Sequence, residues 1–306
     1  MRILQIGNIA GQPQILARFQ REMGLKSDTL SFGQHPFGYK SDFQYLTKMP
    51  FSLTAVKKTL FVLKVLNKYD ILHFHFNSTL PRGLDFMIWK MLRKKVIMHH
   101  RGSDIRYKGE RWGYLKFADK ILVSTPDLLQ WSPSALWMAN PVDLKKYTYM
   151  GVKETETINI VHVPTCRQMK GTEYVIKASE KLKSEGYRIK LILVENIPYD
   201  KVIEYYKQAD IVVDQLLLGW YGNVAIEAMA LGKPVCVYIR EDLESYLPFM
   251  PFYNTSPTSL FENLKVLIED EKLRGELGQK GREYVEKVHD PIKVTEKVIE
   301  LYKEIS

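Results

Sequence analysis

The chain has no uninterrupted apolar stretch of about 18 residues, so no membrane-spanning helix is predicted. Its opening, MRILQIGNIAG, lacks the long apolar segment and small-residue cleavage site of a secretory signal and reads as a first buried strand. Only two cysteines occur, Cys166 and Cys236. They cannot build a disulfide framework and have no metal-ligand spacing, so both are expected reduced and in or near a core. A cytoplasmic protein is the simplest reading. A dinucleotide glycine fingerprint is also missing: IGNIAGQPQ offers Gly7 and Gly11 without the required spacing, which argues against a nicotinamide dehydrogenase. Acidic residues are scarce in one half. Residues 1–150 hold 23 Lys+Arg and 10 Asp+Glu, whereas residues 151–306 hold 21 and 25. The basic excess of the first half suggests either an anionic partner or a solvated basic surface. No nucleic-acid motif accompanies it and the aromatics are scattered, so a nucleic-acid partner is not expected.

The chain does have enough length and apolar content for two cores, with 306 residues that are 45% hydrophobic. Apolar β-rich runs at 2–7, 70–76, 95–100 and 120–124 alternate with helical stretches near 13–23, 52–68, 80–92 and 111–118. After a polar linker candidate at 151–157 the pattern restarts. Runs at 158–163, 189–194, 210–215 and 234–239 are separated or followed by helices near 171–185, 199–207, 223–231, 258–269, 271–287 and 291–304. Continuous apolar runs joined by helices imply parallel sheets covered on both faces. The expectation is an α/β chain of two Rossmann-type domains, 1–150 and 151–290, with ligands beyond the carboxyl ends of the strands.

Two stretches of the second half sit at such strand ends. In PTCRQMKGTEYVIKA (164–178), Arg167 and Lys170 precede a helix opened by Gly171 and Thr172. Two cations beside a helix N-terminus suit a phosphate, although a solvated basic loop has the same composition. In GWYGNVAIEAMALGKPV (219–235), Gly222 permits close backbone approach and Asn223 can cap the next helix. The amides of Gly222, Asn223 and Val224 would form a second anion cradle. Glu227 stands inside this otherwise apolar helix, and a carboxylate is rarely buried without a partner. Vicinal hydroxyls, as in ribose, are one fitting partner. A structural salt bridge to Lys233 or Lys170 is the other. Asp214 precedes the loop, either reaching the ligand or simply ending a strand.

YGNVAIEAMALGKPV, preceded by RQMKGTEYVIKA, resembles the donor-binding half of family 4 glycosyltransferases with the GT-B fold. In the first half, YDILHFHF, HHRGSDIR (99–106) and ANPVDLKKY (139–147) resemble that family's acceptor-domain landmarks. The resemblance implies two Rossmann-like domains facing across a cleft, with a C-terminal helix, 291–306, crossing back to the first. It implies a retaining, nucleotide-sugar-dependent transferase that needs no metal or other cofactor. Arg167 and Lys170 would hold the diphosphate, and Glu227 the ribose hydroxyls. Gly171, Gly222, Asn223 and Val224 would meet phosphate or sugar, and Glu195 in VENIP would lie near the base. Either His99 or His100 would approach the transferred sugar, because Arg101 separates both from the glycine. Gly102, Asp104 and Arg106 would stand on the acceptor side. One departure concerns the pair of glutamates seven residues apart that the family often shows: Glu227 would be the second, and the first is Gly219. A non-catalytic nucleotide-sugar-binding protein, motivated by Gly219, and a sugar-nucleotide epimerase on the same GT-B architecture are the alternatives.

Residues 43–69 contain five lysines and no acidic residue. A helix near 52–68 would align Lys57, Lys64 and Lys68 beside Leu53, Val56, Leu60 and Phe61. It would be either a core helix with a solvated stripe or a basic amphipathic helix lying on an anionic membrane. A second cluster, residues 90–116, has nine Lys+Arg against two acidic residues. The expected partners are a nucleotide-sugar donor and a glycan, lipid-linked or otherwise anionic acceptor.

Overall fold

A computed structural model describes residues 1–7, 9–33, 38–45, 61, 63–80, 83–110, 115–153 and 155–306. The chain forms two compact units, Met1–Pro141 with Pro291–Ser306, and Val142–Asp290. Residues 142–150, assigned from the sequence to the first domain, group with the second unit.

The first unit is built on seven parallel strands. They are β1 (Arg2–Ile6), β2 (Lys26–Phe32), β3 (Phe43–Tyr45), β4 (Ile71–His75), β5 (Lys95–His100), β6 (Lys120–Val123) and β7 (Leu136–Trp137). Their order, β3-β2-β1-β4-β5-β6-β7, reverses between β1 and β4. Successive residues of each strand point to opposite faces, and both faces are covered. Leu4, Leu72, Phe74, Val96 and Met98 pack with Phe86 and Trp89 of helix Leu84–Met91. On the other face Ile3, Ile71, Ile97 and Leu122 meet Val294, Val298 and Tyr302 of helix Pro291–Ile305.

Some elements differ from expectation. β2 has no apolar run to announce it: KSDTLSF buries Ser27, Thr29 and Ser31 beside Leu30. Two of these hydroxyls are paired, Ser27 donating to Gln20 at 2.7 Å and Thr29 to Asp42 at 2.8 Å, whereas the Ser31 hydroxyl has no partner among the described residues. Over 111–118 the described part is a single 3₁₀ turn, Leu115–Phe117, and residues 111–114 lie outside the described residues. Of the basic helix expected near 52–68, residues 61 and 63–66 are helical, whereas Leu53, Val56, Lys57 and Leu60 lie outside the described residues. No helix among the described residues is long and apolar enough to cross a membrane. Cys236 is buried, but Cys166 is exposed rather than in or near a core, and both are free.

The second unit has five parallel strands in the order β12-β11-β10-β8-β9. They are β8 (Ile158–His162), β9 (Ile189–Leu193), β10 (Ile211–Val213), β11 (Val235–Val237) and β12 (Tyr253–Asn254). The order reverses at β8, next to β10. Helix Asn223–Ala230 is apolar on nearly every side because β10, β11 and helix Glu271–Val288 surround it. That last helix is capped by Asp270, whose carboxylate accepts from the Leu273 amide at 2.8 Å. It approaches closely through two small residues. A methyl at Gly278 would run into the Gly232 carbonyl oxygen, and one at Gly281 would lie 2.9 Å from Met229. Gly278→Ala is therefore expected to destabilise the protein by about 1–3 kcal/mol through overpacking, read as a lower midpoint in chemical denaturation.

Candidate functional site

The chemistry-bearing residues of the second unit gather after β8 and β10, where the strand order reverses. Ligands of open parallel sheets bind at such places. After β8 the chain forms one short helix, Arg167–Lys170, and a second helix, Thr172–Ser184. Gly171 joins them at φ +77°, a left-handed conformation that a side chain would strain. This joint turns Lys170 inward. Its ammonium donates to Asp214 Oδ1 and Gln215 Oε1, each at 2.8 Å. The other Asp214 oxygen accepts from the Gly222 amide at 2.6 Å. A Cβ at Gly222 would crowd this cluster, lying 3.1 Å from Lys170 Nζ and 3.2 Å from Asp214 Oδ2.

Three expectations change at this cluster. Gly222, not Asn223, is the capping residue of helix Asn223–Ala230, and Asn223 is its first helical residue. The Gly222 amide expected in an anion cradle is bonded to Asp214. Lys170 pairs with Asp214 and is not the partner of Glu227.

Arg167 lies nearer the surface and forms a two-pronged pair with Glu195, at 2.9 and 2.7 Å. Its guanidinium holds the Glu195 carboxyl below the usual carboxylate range. Both partners are substantially exposed, so the pair is readily exchanged for another anion.

Glu227 is buried, with 7% exposure, and its partners are hydroxyls. Tyr199 donates to Oε1 at 3.0 Å, and the Tyr147 hydroxyl is 3.0 Å from that of Tyr199. Tyr206 and Tyr147 also turn their hydroxyls to this carboxyl, and Lys146 acts on it through space. Burial outweighs these donors and pushes the Glu227 pKa up to about 7. The folded protein then binds a proton near pH 4.5–7 that the unfolded chain does not, so stability falls as pH rises through that window. Glu227→Gln should remove this slope, up to about 1.4 kcal/mol per pH unit, in denaturation curves recorded from pH 5 to 8.

In the first unit His99 and His100 face opposite sides of β5. His100 is fully buried, its Nδ1 2.7 Å from Asp104 Oδ2. The second Asp104 oxygen accepts from the Arg101 and Gly102 amides at 3.0 and 2.8 Å. One carboxylate thus sets the whole turn. Arg106 pairs with buried Asp127 at 2.7 Å and lies under Gly102. His99 instead stacks with His73 and His75 of β4 at centroid distances of 5.4 and 5.5 Å. One ring nitrogen from each of these three buried histidines lies within 4.8 Å of the others, a metal-like grouping that the sequence spacing did not suggest. Sequence reasoning also missed the tyrosines around Glu227. No spacing signal links Tyr147, Tyr199 and Tyr206 to a carboxylate on another element.

A family model described as "Glycosyl transferases group 1" matches residues 184–284. That stretch includes Glu195, Asp214, Gly222 and Glu227 but not Arg167 or Lys170. No match is found among curated protein sequences. Solved structures similar to this chain include a sucrose-phosphate synthase from Thermosynechococcus elongatus, 17% identical, covering 100% of this chain and 99% of that one, with a TM-score of 0.68. The catalytic domain of starch synthase IV from Arabidopsis thaliana, bound to ADP and acarbose, is 11% identical over 100% and 99%, with a TM-score of 0.68. A putative UDP-N-acetylglucosamine 2-epimerase from Listeria monocytogenes is 11% identical over 99% and 96%, with a TM-score of 0.63. The fold is α/β of the GT-B kind, with two Rossmann-like units. At these identities the likeness concerns the fold, which synthases and an epimerase share.

Proposed function

We propose that this chain is a glycosyltransferase that moves a sugar from a nucleotide diphosphate sugar to an acceptor hydroxyl, with retention and without a metal. The observation that carries this reading is the buried Glu227 carboxylate, which makes no ion pair among the described residues and lies within the stretch matched by the group 1 model. In this reading Glu227 accepts hydrogen bonds from the ribose hydroxyls. Lys170 takes the diphosphate, and Arg167 joins it by exchanging Glu195 for phosphate. Helix Thr172–Ser184, opened at Gly171, and helix Asn223–Ala230 add the partial positive charge of their N-termini. Bond breaking leaves charge on the diphosphate, and fixed cations stabilise it there. The leaving phosphate takes the acceptor's proton, so no protein nucleophile is required. The first unit carries the acceptor, with His99 or His100 contributing on that side. Its basic composition supports an anionic or lipid-linked acceptor, and with it a cytoplasmic protein in contact with an anionic membrane face.

The reading is tested by calorimetric titration with UDP, GDP and ADP and their sugar conjugates, followed by turnover with and without acceptor. Binding of one base and acceptor-dependent transfer support it. No nucleotide binding would sink it. Interconversion of the donor sugar without acceptor would favour the epimerase reading, which the Listeria likeness also motivates. Failure to sediment with anionic vesicles at low salt would remove the membrane component.

A further inference from the structure

Arg101 follows β5 directly, beside the end of β4, and its guanidinium is held by neutral groups. Nε and Nη2 donate to His75 Nδ1 at 3.2 and 2.6 Å, and Nη1 donates to Asn140 Oδ1 at 2.6 Å. A guanidinium has five N–H donors and no acceptor, so its direction sets the proton positions behind it. His75 Nδ1 must accept, which puts the His75 proton on Nε2, facing Gln5 Oε1 at 2.7 Å. Gln5 Nε2 donates to Gln20 and to the Tyr302 hydroxyl, each at 3.0 Å. Tyr302 then gives its own proton to His73 Nδ1 at 2.6 Å. The chain of bonds is neutral throughout and fixes Arg101 as a donor.

Two features set this arginine apart from Arg106 and Arg167. Arg106 and Arg167 have carboxylate partners, whereas Arg101 makes no ion pair among the described residues. Three of its five N–H groups are used, leaving one on each Nη. Burial also disfavours its charge, pushing the pKa down to about 9, with the Asp104 charge opposing this from a distance. A partly buried guanidinium with no ion-pair partner among the described residues and two N–H groups left over suits an oxyanion. The grouping of His73, His75 and His99 does not suit a metal for the same reason. A dication there would face the guanidinium and would have to displace Arg101 or Gln5 from His75.

We propose that Arg101 binds a phosphate or carboxylate oxyanion of a substrate at the carboxyl ends of β4 and β5. This deepens the transferase reading by assigning anionic chemistry to the substrate on the first unit, and it rests on that reading only for the word substrate. The oxyanion belongs either to an acceptor or to the donor diphosphate.

The test uses the whole chain. Inorganic phosphate and acetate are titrated at low salt into wild type, Arg101→Gln and Arg101→Lys while arginine Nε–H resonances are followed by NMR. The Arg101 resonance is the one absent from both variants. It should move with phosphate, and phosphate affinity measured by calorimetry should fall at least about tenfold in Arg101→Gln, with Arg101→Lys intermediate. A second arm titrates UDP, GDP and ADP. Nucleotide affinity that falls in Arg101→Gln assigns the oxyanion to the donor, and unchanged nucleotide affinity assigns it to the acceptor. Wild type that binds no nucleotide while Arg101 still responds to phosphate would sink the transferase reading alone. An Arg101 resonance unmoved by saturating phosphate and acetate overturns the proposal. One folded variant suffices to assign that resonance, so Arg101→Lys keeps the test decisive even if Arg101→Gln fails to fold.

Discussion

Lys170→Ala is expected to destabilise the protein by about 3–5 kcal/mol and to slow sugar transfer roughly 10²–10³-fold. The two losses have different origins. Asp214 is 1% exposed and Lys170 12%, so removing the ammonium strands a carboxylate in the interior. The rate loss is what the proposed function requires, since in that proposal the same ammonium meets the charge developing on the diphosphate. Lys170→Ala with Asp214→Ala separates them. The double variant should recover much of the stability, since replacing both members of a buried pair is far cheaper than breaking it. It should recover none of the rate. Urea denaturation and steady-state turnover on the three proteins decide the point. A double variant as active as wild type would show that Lys170 is only structural.

Glu227→Ala should weaken binding of the cognate nucleotide by about tenfold or more, because hydrogen bonds to a charged group contribute roughly 1.5–3 kcal/mol each. It should do so without unfolding the protein. The carboxylate is held against its solvation, as its upward shift to about 7 shows, and the tyrosine hydroxyls left behind can bond one another. Calorimetry at pH 8, where Glu227 is ionised, is the suitable measurement. Repeating it at pH 6 should weaken wild-type binding, since a half-to-fully protonated carboxyl accepts fewer hydrogen bonds, and should leave the variant unmoved. Equal affinity of wild type and variant at pH 8 would mean that Glu227 serves the tyrosines and not a ribose.

Much of the fold was readable wherever a strand is buried on both faces. β1, β4, β5, β8 and β10 are near-continuous apolar runs because helices cover both sides of their sheets. β2 was unreadable because three of its four buried positions are Ser27, Thr29 and Ser31, and the partners that offset the cost of Ser27 and Thr29 lie elsewhere in the chain. β7 and β12 have two residues each, too few for any periodicity. Around the site, Gly171 and Gly222 stood out by residue type and Glu227 by its place in an apolar helix. What each charge touches did not.

The sequence by itself determined the α/β alternation, the restart of the pattern after the linker, and the residue types that end the strands. Those properties depend on local periodicity and on the few residues able to make tight turns. The tertiary structure alone decided that Lys170 meets Asp214, that Arg167 meets Glu195, and that Glu227 faces tyrosines rather than Lys233. It also decided that Arg101 has no carboxylate partner among the described residues. Electrostatic pairing depends on distances across strands and helices that are dozens of residues apart in the chain, and no local pattern carries those distances.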